Sequence, residues 1–176
     1  VANTWVINTD LSYTGVQSRI FMLAGSNTGN NAFNGLISNG AAGGTINFTG
    51  AGLGTASNKV IFSTPPTLSP VTTGILPKVT VAGTDFVTYG ANGIAAFTGY
   101  TTPADINSAA ATDTVNANPS TTTTQNITIN RTINALALSN GANIGSTNST
   151  NLLTVTSGGF LSQTGNNVIS VSRLVP

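Results

Sequence analysis

The sequence predicts an all-β protein, and within that class a parallel β-solenoid, from its composition, its alternating segments and an internal repeat. Half of its 176 residues are Thr, Asn, Ser or Gly, and the good helix formers dominate no window of ten residues. Short segments of alternating apolar and polar residues recur instead, which is typical of strands with one buried face. The length fits one domain, so we expect residues 1–176 to form a single solenoid domain or a segment of a larger repeat protein.

Nine segments carry the strand pattern, and each is bounded by Gly, Asn, Ser or Pro residues that favour turns. In chain order they are residues 4–7, 19–23, 45–48, 59–62, 78–81, 126–130, 134–138, 152–156 and 168–172. Two intervals, 63–77 and 100–124, interrupt the pattern. The first is rich in proline, which lacks the backbone donor that a central strand needs, and the second is polar and rich in Ala and Thr. We expect both intervals to leave the stack of strands as irregular excursions.

The C-terminal third contains an internal repeat with a nearly constant spacing. Leu136 aligns with Leu153 and then with Ile169, and Leu138 aligns with Val155. This spacing is too short for a pair of helices but accommodates two or three short strands. It therefore suits one coil of a β-solenoid, in which equivalent residues stack about 4.8 Å apart. The alternative is an antiparallel β-sandwich, here as a fibre subunit, whose strands also recur about every 8–12 residues.

The repeat alignment predicts which side chains face the core and which form a polar ladder. The expected inward residues are Leu136, Leu138, Leu153, Val155, Ile169 and Val171, and the expected outward residues are Ala137, Thr154 and Ser170. Asn134, Asn151 and Asn167 occupy the same place in successive repeats. We expect their amides to stack as a hydrogen-bonded ladder.

Three low-complexity segments resemble a known repeat family. Residues 25–40 (GSNTGNNAFNGLISNG) and 151–161 (NLLTVTSGGFL) are similar to the repeats of autotransporter-associated β-strand proteins. Residues 81–94 (VAGTDFVTYGANGI), running on to 111–115 (ATDTV), are similar to the spacer that such proteins place between repeats. The resemblance implies a large, secreted bacterial surface protein with parallel β-helical passenger regions, of which this chain is one segment. It implies no catalytic residues.

Charge and side-chain chemistry exclude most enzymatic and nucleic-acid-binding functions. Cys, His and Glu are absent, so no thiolate or imidazole can act as nucleophile, base or zinc ligand. Five scattered Lys and Arg residues against four Asp give a net charge of +1, whereas a nucleic-acid interface needs clustered cations. No apolar segment approaches the roughly 20 residues that a membrane-spanning helix needs. We therefore expect no catalytic residue, cofactor or metal, no nucleic-acid partner and no membrane span.

The aromatic residues are few, 6% of the chain, and mostly lie in apolar segments, which predicts that they pack in the core. Tyr89 and Tyr100 differ because each lies beside a glycine. These two tyrosines are the candidates for contact with a ligand such as a sugar ring.

Together these features predict a non-enzymatic structural protein that is secreted or displayed on the cell surface, a stackable β-rod segment or a filament subunit. Its expected partners are copies of itself or neighbouring repeats of a longer chain, because stacked uncharged side chains do not repel one another. One alternative is a carbohydrate-binding or adhesive module, such as an adhesin, whose partners are glycans. A second alternative is a pilus-like subunit completed by donor-strand exchange.

Overall fold

The computed structural model describes residues 6–7, 11–13, 30–33, 37–39, 45–118 and 124–176. The predicted strand at 19–23 and most of the repeat-like segment at 25–40 lie outside these residues. Among the described residues every regular element is a strand, except for one short 3-10 helix, Ile106–Ser108. The all-β prediction is therefore confirmed.

The strands are short, and we number them in chain order. They are β1 (Val6–Ile7), β2 (Leu11–Tyr13), β3 (Asn30–Phe33), β4 (Ile37–Asn39), β5 (Ile46–Phe48), β6 (Lys59–Phe62), β7 (Leu76–Val81), β8 (Asp85–Gly90), β9 (Gly93–Ala96), β10 (Thr114–Ala117), β11 (Gln125–Ile127), β12 (Arg131–Leu138), β13 (Asn143–Ser146), β14 (Leu152–Ser162), β15 (Val168–Ser170) and β16 (Arg173–Val175).

The chain divides into two compact units, Val1–Phe97 and Thr98–Pro176, and each is described by itself. In the first unit a seven-stranded sheet has the order β1-β3-β6-β9-β8-β7-β5, and β2 pairs with β4. The sheet is mixed, because β7, β8 and β9 pair antiparallel whereas its other strand pairs are parallel. One core cluster of this unit buries the side chains of Phe48, Val60, Val87 and Ile94.

Two glycine-containing turns set the path of the antiparallel strands. Ala82 and Gly83 have positive φ angles of 54° and 71°, the left-handed backbone that a tight hairpin between β7 and β8 requires. Gly93 has a φ of 78°, and a Cβ atom at this position would meet the carbonyl oxygen of Val60. Glycine is therefore required where β9 approaches β6.

In the second unit the strands form two separate sheets, β10-β12-β14-β16 and β11-β13-β15. Every described strand pair in these two sheets is parallel. Consecutive strands alternate between the sheets, so each strand pairs with the strand two places further along the chain. The core lies between them and contains the buried residues Ile106, Ala109, Val115, Ala117, Ile127, Ile133, Leu136, Leu138, Ala142, Ile144, Leu153 and Val155.

The observed strand register corrects the predicted repeat spacing. Arg131 pairs with Leu153, and Leu136 pairs with Phe160 after an irregularity in the β12–β14 pairing. In both cases the partner lies later in the chain than the predicted repeat would place it. The prediction matched Leu136 to Leu153 because both β12 and β14 alternate apolar and small residues in their interiors. Because β14 has eleven residues and β12 has eight, β12 can be aligned with β14 in more than one register. Composition alone does not decide between these registers.

The inward prediction agrees with burial, whereas Ala137, which was predicted to face outward, is buried although it does not belong to the core cluster. Leu136, Leu138, Leu153 and Val155 are buried, and Ile169 and Val171 are partly buried against the same core. Thr154 is partly exposed and Ser170 is exposed, but Ala137 is fully buried. Ala137 stands in register between Asn116 and Leu161, whose larger side chains screen its single methyl group from solvent.

The two predicted excursions have different outcomes. Residues 63–75 contain no strand, as expected, and β7 begins at Leu76. The interval 100–124, by contrast, contains β10 and the 3-10 helix, and its Ile106, Ala109 and Val115 are part of the core. The expectation that this interval leaves the stack is therefore wrong for β10 and for the 3-10 helix. The sequence did not indicate β10, because only two of its residues, Val115 and Ala117, are apolar.

Candidate interaction edge

At the turn that follows β10, β12 and β14, polar side chains form a ladder between neighbouring strands. The Nδ2 group of Asn140 donates to Oδ1 of Asn118 (2.8 Å), and the hydroxyl of Thr164 donates to Oδ1 of Asn140 (3.1 Å). Asn140 and Gly141 have positive φ angles of 55° and 77°, a conformation that these two residue types tolerate. Sequence reasoning missed this ladder, although the Asn-Gly pair was a signal for such a turn.

Each asparagine of the predicted ladder donates to a residue of an earlier strand, but the three bonds lie at different places. Their Nδ2 groups donate to Thr114 Oγ1 from Asn134 (2.9 Å), to the carbonyl of Ile127 from Asn151 (2.8 Å) and to the carbonyl of Leu138 from Asn167 (3.1 Å). Asn134 and Asn151 are buried, and each is satisfied by such a bond. The observed strand register thus gives three separate hydrogen bonds and not one stack of three amides.

The β10 edge of the second unit is covered by the chain that precedes it. The amide of Thr101 donates to the carbonyl of Thr114 (3.0 Å), and the carbonyl of Thr101 accepts from the amide of Asn116 (2.9 Å). These two backbone bonds continue the parallel pairing of the sheet by one residue. The outer side of β10 is therefore partly occupied.

The β11 edge is covered by the 3-10 helix. Nδ2 of Asn107 donates to the carbonyl of Asn126 (2.8 Å), and Oδ1 of Asn107 accepts from the amide of Thr128 (3.0 Å). Asp105 caps the helix, because its Oδ1 accepts from the amide of Asn107 (2.9 Å). Ile106 is fully buried and packs into the core beneath this cap. The side-chain amide of Asn107 thus makes hydrogen bonds along this edge that the backbone of a neighbouring strand would otherwise make.

The opposite edge has no comparable cover among the described residues. β15 and β16 are the last strands of their sheets, and each has a described partner on one side. β16 pairs only with residues 152–154 of β14, so residues 159–162 of β14 have no described strand on that side either. We call β15, β16 and residues 159–162 together the open edge. Its backbone can accept an added strand.

The apolar rows of the core reach solvent at the open edge. Val115 and Leu136 are fully buried, but Phe160, which follows them in the same register, is 36% exposed. Leu153 is likewise fully buried, whereas Leu174, its partner in β16, is 41% exposed. A further strand on this edge would bury the same kind of side chain that the preceding strands bury.

The rest of the open edge is also apolar and nearly uncharged. Val168 and Val175 are 46% and 44% exposed. Arg173 is the one charged residue of the open edge. Exposed apolar side chains beside an unpaired strand edge are the features of an interaction surface rather than of a catalytic cleft.

The two tyrosines selected as ligand contacts lie in different units. The ring of Tyr89 stacks on that of Phe62, with centroids 5.7 Å apart. Its hydroxyl accepts from the amide of Phe62 (2.9 Å) and donates to the carbonyl of Phe62 (3.3 Å). Tyr100 is partly buried in the second unit. The polar end of Tyr89 is therefore used within the protein.

Within the described ranges, no three Asp, Glu, His or Cys residues come together as a metal site. A search of that same part of the chain finds no helix whose length and apolar character would carry it across a membrane. Comparison with models of protein families, with curated proteins and with solved structures finds no match for this chain.

Proposed function

We propose that this chain is a non-enzymatic structural protein of the cell surface or the extracellular space, whose strands β10 to β16 belong to coils of a parallel β-solenoid that extends by adding strands at the open edge. The observation that carries the proposal is the loss of burial along one register: Val115 and Leu136 are fully buried, and Phe160 is partly exposed. A rod segment has this property, because each coil covers the apolar rows of the one before it and leaves its own rows to be covered by the next.

The composition supports the same function. Parallel stacking places each side chain over its equivalent in the next coil, so a row of charged residues would place like charges beside one another. Only 5% of the residues are charged. Asn and Thr instead give neighbouring coils a donor and an acceptor on the same side chain, as Asn140 does between Asn118 and Thr164. The near absence of charge therefore favours the stacking of one coil on the next.

Immunogold labelling of intact source cells tests the proposed role. An antibody is raised against the exposed turn at residues 147–150. Gold on surface filaments, on a surface layer or on shed material supports a structural surface role. Gold confined to the cell interior of sectioned cells contradicts it, and preabsorption of the antibody with the turn peptide is the control.

A further inference from the structure

We infer that Asn148, in the exposed turn between β13 and β14, is a site of covalent modification by an N-linked sugar. Residues 148–150 (Asn-Ser-Thr) have the Asn-X-Ser/Thr pattern to which sugars are attached in secreted proteins. The pattern occurs four times in this chain, and in a sequence so rich in Asn and Thr it carries little information by itself. The structure distinguishes one of the four copies from the others. Such a modification goes beyond the proposed structural role and does not depend on the open edge.

The side-chain oxygen of Asn148 is held by three donors, whereas its side-chain nitrogen is not. Oδ1 accepts from the amide of Thr150 (2.9 Å), from the hydroxyl of Thr150 (2.8 Å) and from the amide of Asn151 (3.0 Å). The backbone carbonyl of Asn148 accepts from the hydroxyls of Ser146 (3.2 Å) and Ser172 (2.8 Å). No described residue makes a hydrogen bond with Nδ2, and Asn148 is exposed. Nδ2, the atom that would carry the sugar, is therefore left available to an enzyme.

The other three copies of the pattern lie in strands or are bonded to them. Asn47 lies within β5 and is partly buried. At Asn126 in β11, the third residue of the pattern is Thr128, whose hydroxyl donates to Oδ1 of Asn107 (3.2 Å). Oδ1 of Asn130 accepts from the amide of the first residue of β14 (3.0 Å). Only the copy in the turn has all three of its residues exposed.

The three donors on Oδ1 suit the chemistry of sugar transfer. Nδ2 of Asn148 forms a bond to the anomeric carbon of a sugar carried on a diphosphate, and the bond between that carbon and the diphosphate oxygen breaks. The diphosphate leaves with the electron pair, and a basic group of the transferase takes the proton from Nδ2. As this proton leaves, negative charge moves onto Oδ1, where donors already in place stabilise it.

A sugar in this turn also agrees with the composition of the chain. Five Lys and Arg against four Asp leave the surface with little charge repulsion to keep copies apart in solution. A glycan is bulky and solubilising, and it would solvate the protein without adding charge. Because the turn lies outside β13 and β14, the parallel pairing of these strands would be unaffected.

Mass spectrometry of the chain purified from its source cells tests the modification. Trypsin cleaves after Lys and Arg, so residues 132–173 form one peptide, in which Asn148 begins the only copy of the pattern. We expect this peptide to carry the added mass of a sugar, localised to Asn148 by fragmentation. The peptide of residues 79–131 contains the copies that begin at the exposed Asn126 and Asn130, and it should be unmodified.

Variants expressed in the source cells identify the groups that matter. Asn148→Gln removes the acceptor of the sugar and should abolish the modification. Thr150→Ala keeps Asn148 but removes one donor to its Oδ1, so it should lower the modified fraction roughly tenfold or more, whereas Thr150→Ser keeps a hydroxyl and should remain modified. Asn130→Gln is the matched control and should leave the modified fraction unchanged. Circular dichroism of each variant confirms that it keeps the β-sheet spectrum of the parent chain.

Two results would overturn the inference. If residues 132–173 carry no sugar in the chain from source cells, Asn148 is not a modification site. If Asn126, Asn130 and Asn148 are modified to the same extent, the pattern alone selects the site and the turn does not.

The mass spectra and the immunogold labelling give separate answers. A sugar on Asn148 would cover part of the turn against which the antibody is raised, so the labelling is repeated after treatment with a peptide N-glycosidase. Gold confined to the cell interior in both preparations contradicts the surface role, whatever the mass spectra show. Gold at the surface together with an unmodified peptide contradicts the sugar and leaves the surface role supported.

Discussion

Truncation of one core row, by Leu153→Ala, tests whether the parallel strands of the second unit share a continuous core. Leu153 has no exposed surface, and its backbone pairs with Arg131 on one side and with Leu174 on the other. Removing its isopropyl group takes apolar atoms from the core and leaves a cavity there. Ile129→Ala is the matched comparison, because Ile129 is 58% exposed in the same unit.

The two substitutions should differ greatly in cost. A fully buried Leu→Ala change typically costs about 3 kcal/mol, which includes the transfer of the lost atoms and the cavity that remains. A change at an exposed position usually stays within about 0.5 kcal/mol. Since about 1.4 kcal/mol corresponds to a factor of ten, Leu153→Ala should accelerate protected amide exchange on the order of a hundredfold.

Hydrogen exchange followed by mass spectrometry measures this effect strand by strand. Peptides covering β12 and β14 should lose protection in Leu153→Ala and keep it in Ile129→Ala. The reasoning is refuted if both variants exchange like the parent chain, because Leu153 would then contribute nothing to the core. It is equally refuted if loss of protection is confined to β16, because β12 and β14 would then not depend on a common row.

Three further substitutions probe the turns and the cap. Asn140→Gly keeps the left-handed backbone but removes the side-chain ladder, so it should lower the free energy of urea unfolding by about 1 kcal/mol. Asn140→Ala should lower it by about 1 kcal/mol more, because alanine disfavours that backbone conformation. The reverse order would contradict the ladder geometry. Gly93→Ala should destabilise the first unit by about 2 kcal/mol or more, seen as a lower thermal midpoint, because the new methyl group meets the carbonyl of Val60; an unchanged midpoint would disprove this close approach. Asn107→Ala removes the acceptor for the amide of Thr128, so hydrogen exchange at this amide should become about tenfold faster while the amides of β15 keep their rates. Equal acceleration in both places would show that Asn107 is not a local cap.

The strand class of this chain follows from local features of its sequence. The segment 59–62 becomes β6 with the same boundaries, and 78–81 becomes the end of β7, because alternation flanked by turn residues is a local signal. Composition likewise excludes thiol and imidazole chemistry without any structure.

The pairing of those strands depends on information that no local pattern carries. Leu153 can be aligned with Leu136 or with Arg131, and only the second pairing is observed. The irregularity after Ile133 shifts the register within one strand pair, so no fixed period describes both halves of β14. The three asparagines of the predicted ladder therefore each donate to an earlier strand but do not stack on one another.

The cover of the β11 edge by Asn107 could not be predicted from the sequence, for a different reason. Asn107 contributes one side chain whose donor and acceptor reach Asn126 and Thr128, which are distant in the sequence. Nothing in the polar, Ala- and Thr-rich composition around it distinguishes this asparagine from its neighbours. The exposure of Phe160 and Leu174 depends on which strands lie beside them, and no local pattern in the sequence gives that information.

The unequal separations between paired residues have a consequence for how such a chain can change. Thr114 pairs with Ala135, whereas Asn143 pairs with Val168, a partner further away along the chain, yet both pairs belong to parallel sheets. Most of this difference lies in the turns, and the irregularity in the β12–β14 pairing adds a shift within the strands themselves. Insertions and deletions should collect at these turns, because the turns can change in length without any change to the pairing of the strands.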